Sequence, residues 1–112
     1  MPKIDSYHFG KIVIDGQVHT QDVIILPDGV LGNWWRREGH SLHIDDLAAV
    51  FAAKPAVLIV GQGSISRMDI PEATRQALQA AGIELIAQPT GTACQTYNAM
   101  QKKDKTIAAV LH

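Results

Sequence analysis

Four short segments hold residue types whose spacing could do chemistry. Gly61-Gln62-Gly63-Ser64 follows an apolar run, and paired glycines let backbone amides approach an anion at the carboxyl end of a strand. The third glycine of a dinucleotide fingerprint is missing and no Walker lysine follows, so a tight strand-to-loop turn is the competing reading. Thr90-Gly91-Thr92-Ala93-Cys94 precedes a helical pattern. With Thr92 as N-cap, Cys94 falls in the first turn, where the helix dipole lowers a thiol pKa. The threonine hydroxyls and free amides there would also suit a bound anion. Cys94 is the one candidate nucleophile, but no histidine adjoins it as base, and a lone cysteine also packs as a small apolar residue. Tyr97 follows one turn later, either at the same cleft or as a core aromatic with its hydroxyl bonded. Asn98 beside it says little by itself.

The third segment is Trp34-Trp35-Arg36-Arg37. Adjacent tryptophans at a strand end point to opposite faces, and an outward tryptophan beside two arginines matches the anchors of protein interfaces. With His40, the same arginines would suit a carboxylate or phosphate. The fourth is His40 and His43, which lack a third ligand set. Asp45 and Asp46 read as first-turn carboxylates, so neither a metal site nor a cofactor is expected.

These segments are positioned by a chain of 112 residues, the usual length of one domain with a folded surface of roughly 6,000 Å². Hydrophobic residues make up 46% and charged residues 19%, a balance that excludes intrinsic disorder. The net charge of −1 argues against nucleic-acid binding by a broad basic surface. A single cysteine permits no internal disulfide and suits a reducing compartment. No apolar run reaches the ~20 residues of a membrane span, and the first residues resemble no targeting signal. A cytoplasmic protein without membrane insertion is expected.

Strand-like alternation over Phe9–Ile14, the apolar end of His19–Leu26, and Val30–Trp35 are separated by Asp15-Gly16 and Pro27-Asp28-Gly29 turns. They predict an N-terminal antiparallel β-meander. From Ile44 or Asp45, Leu47, Val50 and Phe51 fall at helical spacing up to Lys54-Pro55. Ala56–Val60 reads as a covered central strand. A helix capped by Asp69 should run to about Ala81 and stop at Gly82. Ile83–Ala87, a helix from about Ala93 to Gln101, and Thr106–Leu111 complete the pattern. Strands alternating with helices predict an α/β fold: a single three-layer domain over 1–112, with a mixed central sheet flanked by helices and the meander.

Longer stretches add a resemblance. Asp22 to Gly29, Trp35-Arg36 with His40, Asp46-Leu47, Pro55 with Leu58 to Gly63, Thr92-Ala93-Cys94 with Tyr97-Asn98, and Ile107 to His112 are similar in order to the adipogenesis-associated Mth-domain family. The resemblance implies a three-layer α/β fold without an established activity. Because the family includes a mitochondrial assembly factor for respiratory complex I, it also implies a non-enzymatic, protein-binding role. Two readings follow. One is an assembly-type protein that meets a partner, or another copy of itself, through Trp34, Trp35, Arg36 and Arg37. The other is a small-molecule or anion site, or a thiol enzyme, in a crevice between Gly61, Gln62, Gly63 and Ser64 on one side and Thr90, Gly91, Thr92, Cys94 and Tyr97 on the other.

Overall fold

A computed structural model of the chain describes residues 3–8, 10–27, 29–32, 41–63, 68–101 and 107–111. It begins with an antiparallel meander, as expected, but of other strands: Ile4–His8 is an additional first strand, and the strand expected from Val30 belongs to the second sheet. β1 (Ile4–His8), β2 (Lys11–Ile14) and β3 (Gln17–His19) form a three-stranded sheet in that order. Gly10 turns the chain between β1 and β2, with φ +78°, a value that glycine adopts without strain. The His19–Leu26 run is divided between two sheets: β3 ends at His19, and β4 (Val23–Leu26) starts the second.

That second sheet also contains β5 (Gly29–Leu31), β6 (Val57–Gly61), β7 (Glu84–Gln88) and β8 (Ile107–Leu111), in the order β5-β4-β8-β6-β7. β4 runs antiparallel to β5 and β8, whereas β6 runs parallel to β7 and β8. The sheet is therefore mixed, as the alternation of strands and helices predicts.

Successive side chains of a strand point to opposite faces, and β4 and β6, which flank the central β8, use both. Val23 and Ile25 of β4, with Val57 and Ile59 of β6, pack against Ile4, Ile12 and Ile14 of the small sheet and against Ala93, Cys94 and Tyr97. Ile24, Leu58 and Val60 face the other way, onto Leu42, Leu47, Val50, Met68, Ile70 and Leu78. Three layers result, and the runs of β4 and β6 are continuously apolar because both of their faces are covered. The accessible surface is 6033 Å².

On one side lie a 3-10 turn (Ile44–Leu47) leading into α1 (Ala48–Ala53), and α2 (Glu72–Ala80). The His43 amide donates to Asp46 Oδ2 at 2.9 Å, so Asp46 serves the helix start. α1 ends where Lys54 takes a left-handed φ of +51°. Asp69 does not cap α2. Its carbonyl accepts from Leu42 N at 2.9 Å, while the Pro71 carbonyl opens the helix by accepting from Thr74 and Arg75. The other side holds the meander and α3 (Thr90–Gln101).

Candidate functional site

β6 and β7 are parallel neighbours with Gly61 opposite Gln88, so the bends that leave them open on the same edge of the sheet. Among the described residues, however, the two bends are bonded to each other rather than held apart as the walls of a crevice. Gly63 N donates to Thr90 Oγ1 at 2.8 Å, and Thr90 N donates back to the Gly63 carbonyl at 3.0 Å. Gln62 ties the two ends of the following loop together: its side-chain amide donates to the Met68 carbonyl, and Met68 N donates to the Gln62 carbonyl, each at 2.9 Å. Gly63 and Thr90 are both buried. The paired glycines thus serve a clamp between two strand ends, and Ser64 lies outside the described residues. Replacing Thr90 by the isosteric valine strands a buried N–H and should destabilise the fold by about 1–3 kcal/mol. Urea unfolding of Thr90→Val measures this, and a change under ~0.5 kcal/mol would contradict the clamp.

The helix start also differs from the expectation. α3 begins at Thr90, because the Pro89 carbonyl accepts from Ala93 N at 2.9 Å. Thr92 is therefore not the N-cap, and Cys94 lies beyond the first turn, 5% exposed. Burial pushes its thiol up to about 12, so it is protonated at neutral pH, the opposite of a dipole-activated thiolate. Relative to the ordinary 9.0, the thiolate fraction falls about a thousandfold, and the greater nucleophilicity of a basic thiolate recovers only ~20- to 30-fold. Disulfide-reagent labelling of the native protein at pH 7.5 should be at least ~30-fold slower than that of the unfolded chain. Equal rates would restore Cys94 as a nucleophile.

Open space lies one step away, between α3 and β1. A groove of about 400 Å³ is lined by Ile4, Asp5, Ser6 and Tyr7 on the strand, and by Gly91, Thr92, Cys94, Gln95 and Asn98 on the helix. Gly91, Cys94, Gln95 and Asn98 are spaced i, i+3, i+4, i+7, one stripe of a helix. Four strand residues and eight helical residues each span about 10 Å, so the two walls match in length. The groove is pinned at both ends. At one, Asn98 imitates a neighbouring strand: Oδ1 accepts from Ile4 N at 3.1 Å, and Nδ2 donates to the Ile4 carbonyl at 2.7 Å. At the other, the Tyr7 side chain meets Thr90 in a hydrogen bond, and its ring lies over Gly91, where a Cβ would be 3.8 Å from Cδ2. Burial, then the neighbouring Cys94, raise the Tyr7 hydroxyl, and the Thr90 bond opposes them.

Across Tyr7, Lys11, His19, Asp22 and Thr90 line a recess of about 60 Å³, room for a few waters only. The structure thus gathers Gly91, Thr92 and Cys94 at one groove and places Gly61, Gln62 and Gly63 in a closed loop. Tyr97 is fully buried in the core rather than in the groove. Trp34, Trp35, Arg36, Arg37 and His40 lie outside the described residues. Asp5, Ser6 and Gln95 are groove residues that the sequence reading missed. The helical stripe from Gly91 to Asn98 was their only local signal, since Asp5 and Ser6 are brought in from the far end of the chain.

A family model described as a protein of unknown function (DUF498/DUF598) matches residues 4–112. A conserved hypothetical protein of Pyrococcus horikoshii is similar in structure, with a TM-score of 0.86 at 24% identity, covering 98% of this chain and 97% of that one. A Rhodopseudomonas palustris protein shares 33% identity at a TM-score of 0.79, over 96% of this chain and 80% of its own. A Bordetella pertussis protein described as an Mth938-like domain is similar at a TM-score of 0.69 and 19% identity, over 98% of this chain and 84% of that one.

Proposed function

The chain belongs to the DUF498/DUF598 family of proteins of unknown function, and on that premise we propose that it works by binding rather than by catalysis, with the groove between β1 and α3 as its ligand seat. The observation that supports this reading is the groove itself. Two elements more than 80 residues apart in sequence form its walls, and hydrogen bonds pin it at Ile4–Asn98 and near Tyr7–Thr90. Its volume of about 400 Å³ lies within the range of small-molecule sites, about 300–1,000 Å³. Cys94, which lines it, keeps its proton at neutral pH. A reducing cytoplasm is the compartment that suits this lone thiol.

A second reading is an assembly-type protein partner, the role implied by the family resemblance. Leu31 favours it: this residue ends the edge strand β5 and is 47% exposed, just before the segment that contains Trp34, Trp35, Arg36 and Arg37. Native mass spectrometry of the protein isolated from its own cells tests both readings. The groove reading expects a small-molecule adduct that disappears in Gln95→Trp, whose indole would fill the groove. An adduct unchanged in that variant, or the bare chain mass alone, overturns it. A partner chain lost on Leu31→Lys would instead support the second reading.

A further inference from the structure

We infer that the ligand of the β1–α3 groove is a small uncharged polyol, of the size of a single sugar ring. This rests on the groove being the ligand seat and adds the chemistry that it selects. Ser6, Thr92 and Gln95 are exposed along the two walls. Each side chain both donates and accepts hydrogen bonds, which is what a hydroxyl asks of its partner. The Asn98 amide is already committed to Ile4 and so acts as an end wall. Half-buried Tyr7 lines the other end and offers ring carbons there, the apolar contact that the carbon face of a sugar ring takes.

Charge decides against the alternatives. Among the described lining residues, Asp5 is the one acidic side chain and there is no lysine or arginine. An anion would meet that carboxylate without a compensating cation. A cation would gain little, because Asp5 is exposed and already accepts from Gly16 N at 2.7 Å, and exposed ion pairs are weak. Neutral hydroxyls avoid both problems and can still donate to the Asp5 carboxylate. The anionic ligand expected from the glycine loop therefore gives way to a neutral one.

Amide-resolved NMR titration of the full chain with glucose, choline and inorganic phosphate tests the assignment. Glucose should shift the amides of Ser6, Thr92 and Gln95. Its midpoint should rise about three- to tenfold in Gln95→Ala, the change expected for one neutral hydrogen bond, and stay the same in Val18→Ala on β3. If choline or phosphate shifts these amides and glucose does not, the groove stands as the seat and the polyol assignment falls. If none of the three reaches the groove, or glucose shifts residues elsewhere, the assignment falls too, and the adduct measurement on Gln95→Trp then decides separately whether the groove binds at all.

Discussion

Raising the pH from about 9 towards 12 is expected to destabilise the protein, with a stability that falls ever more steeply along the way. Burial pushes the Cys94 thiol from an ordinary 9.0 up to about 12. Burial, and then the charge of Asp15, pushes the Tyr97 hydroxyl from an ordinary 10.0 up to about 12. In this window the folded chain keeps protons that the unfolded chain has released. The stabilisation is thus complete below pH 9 and is lost as pH rises through the folded values. One such proton gives a slope of about 1.4 kcal/mol per pH unit, and two together approach about 2.7. By pH 12 the loss is at most about 4 kcal/mol from Cys94 and about 3 kcal/mol from Tyr97, less where solvent reaches the sulfur. A chain of this length has about 6–17 kcal/mol in total, so the loss is a large fraction of it. Urea unfolding at pH 8, 9.5 and 11 measures the slope. Cys94→Ala should flatten it between pH 9 and 10, and Tyr97→Phe should reduce it by about half above pH 10. A wild-type stability that stays level to pH 11 would mean that both groups titrate as they do in water.

The strands were legible in the sequence, and the surroundings of Cys94 were not. The apolar runs Val23–Leu26 and Val57–Val60 announce covered strands, because burial on both faces leaves no polar position to interrupt them. The parallel pairing of β6 with β7, which sets two bends side by side, followed from helices alternating with strands. What the bends do was not legible. Whether paired glycines cradle an anion or fold against a neighbouring threonine depends on a bond between Gly63 and Thr90, 27 positions apart. The fate of Cys94 turned on where α3 begins. A threonine at 92 has good capping chemistry, but the Pro89 carbonyl opens the helix earlier and Thr90 spends its hydroxyl on the clamp. The groove was hidden for a similar reason. Its strand wall, Asp5 to Tyr7, matches no motif that would mark it as a site, and the Asn98–Ile4 pairing that aligns it spans 94 positions.

Truncating Tyr97 to alanine is expected to destabilise the fold by about 3–5 kcal/mol, within the range for removing a buried aromatic ring. Tyr97 is fully buried, and it sits where α3, the small sheet and the five-stranded sheet meet, among Ile4, Ile14, Ile25 and Ile59. Relaxation into the vacated space would have to draw in three elements at once, each tied elsewhere: β1 to Asn98 and β2, β6 to β7 and β8, α3 to Gly63 through Thr90. A site that cannot collapse retains its cavity, and the retained cavity adds to the lost transfer energy. The urea midpoint should fall by roughly 2–3 M with little change in slope. Tyr97→Phe separates ring from hydroxyl: it keeps the packing and should cost only about 1 kcal/mol. If the two variants were equally destabilised, the hydroxyl rather than the packed ring would hold the three layers together at this point. If neither were destabilised, Tyr97 would not be in the core. The intermediate result, a large loss for alanine and a small one for phenylalanine, also predicts a consequence at the groove. Asn98 follows Tyr97 on α3, so loosening this turn should weaken its hold on Ile4, and hydrogen exchange of the Ile4 amide should accelerate in Tyr97→Ala before global unfolding sets in.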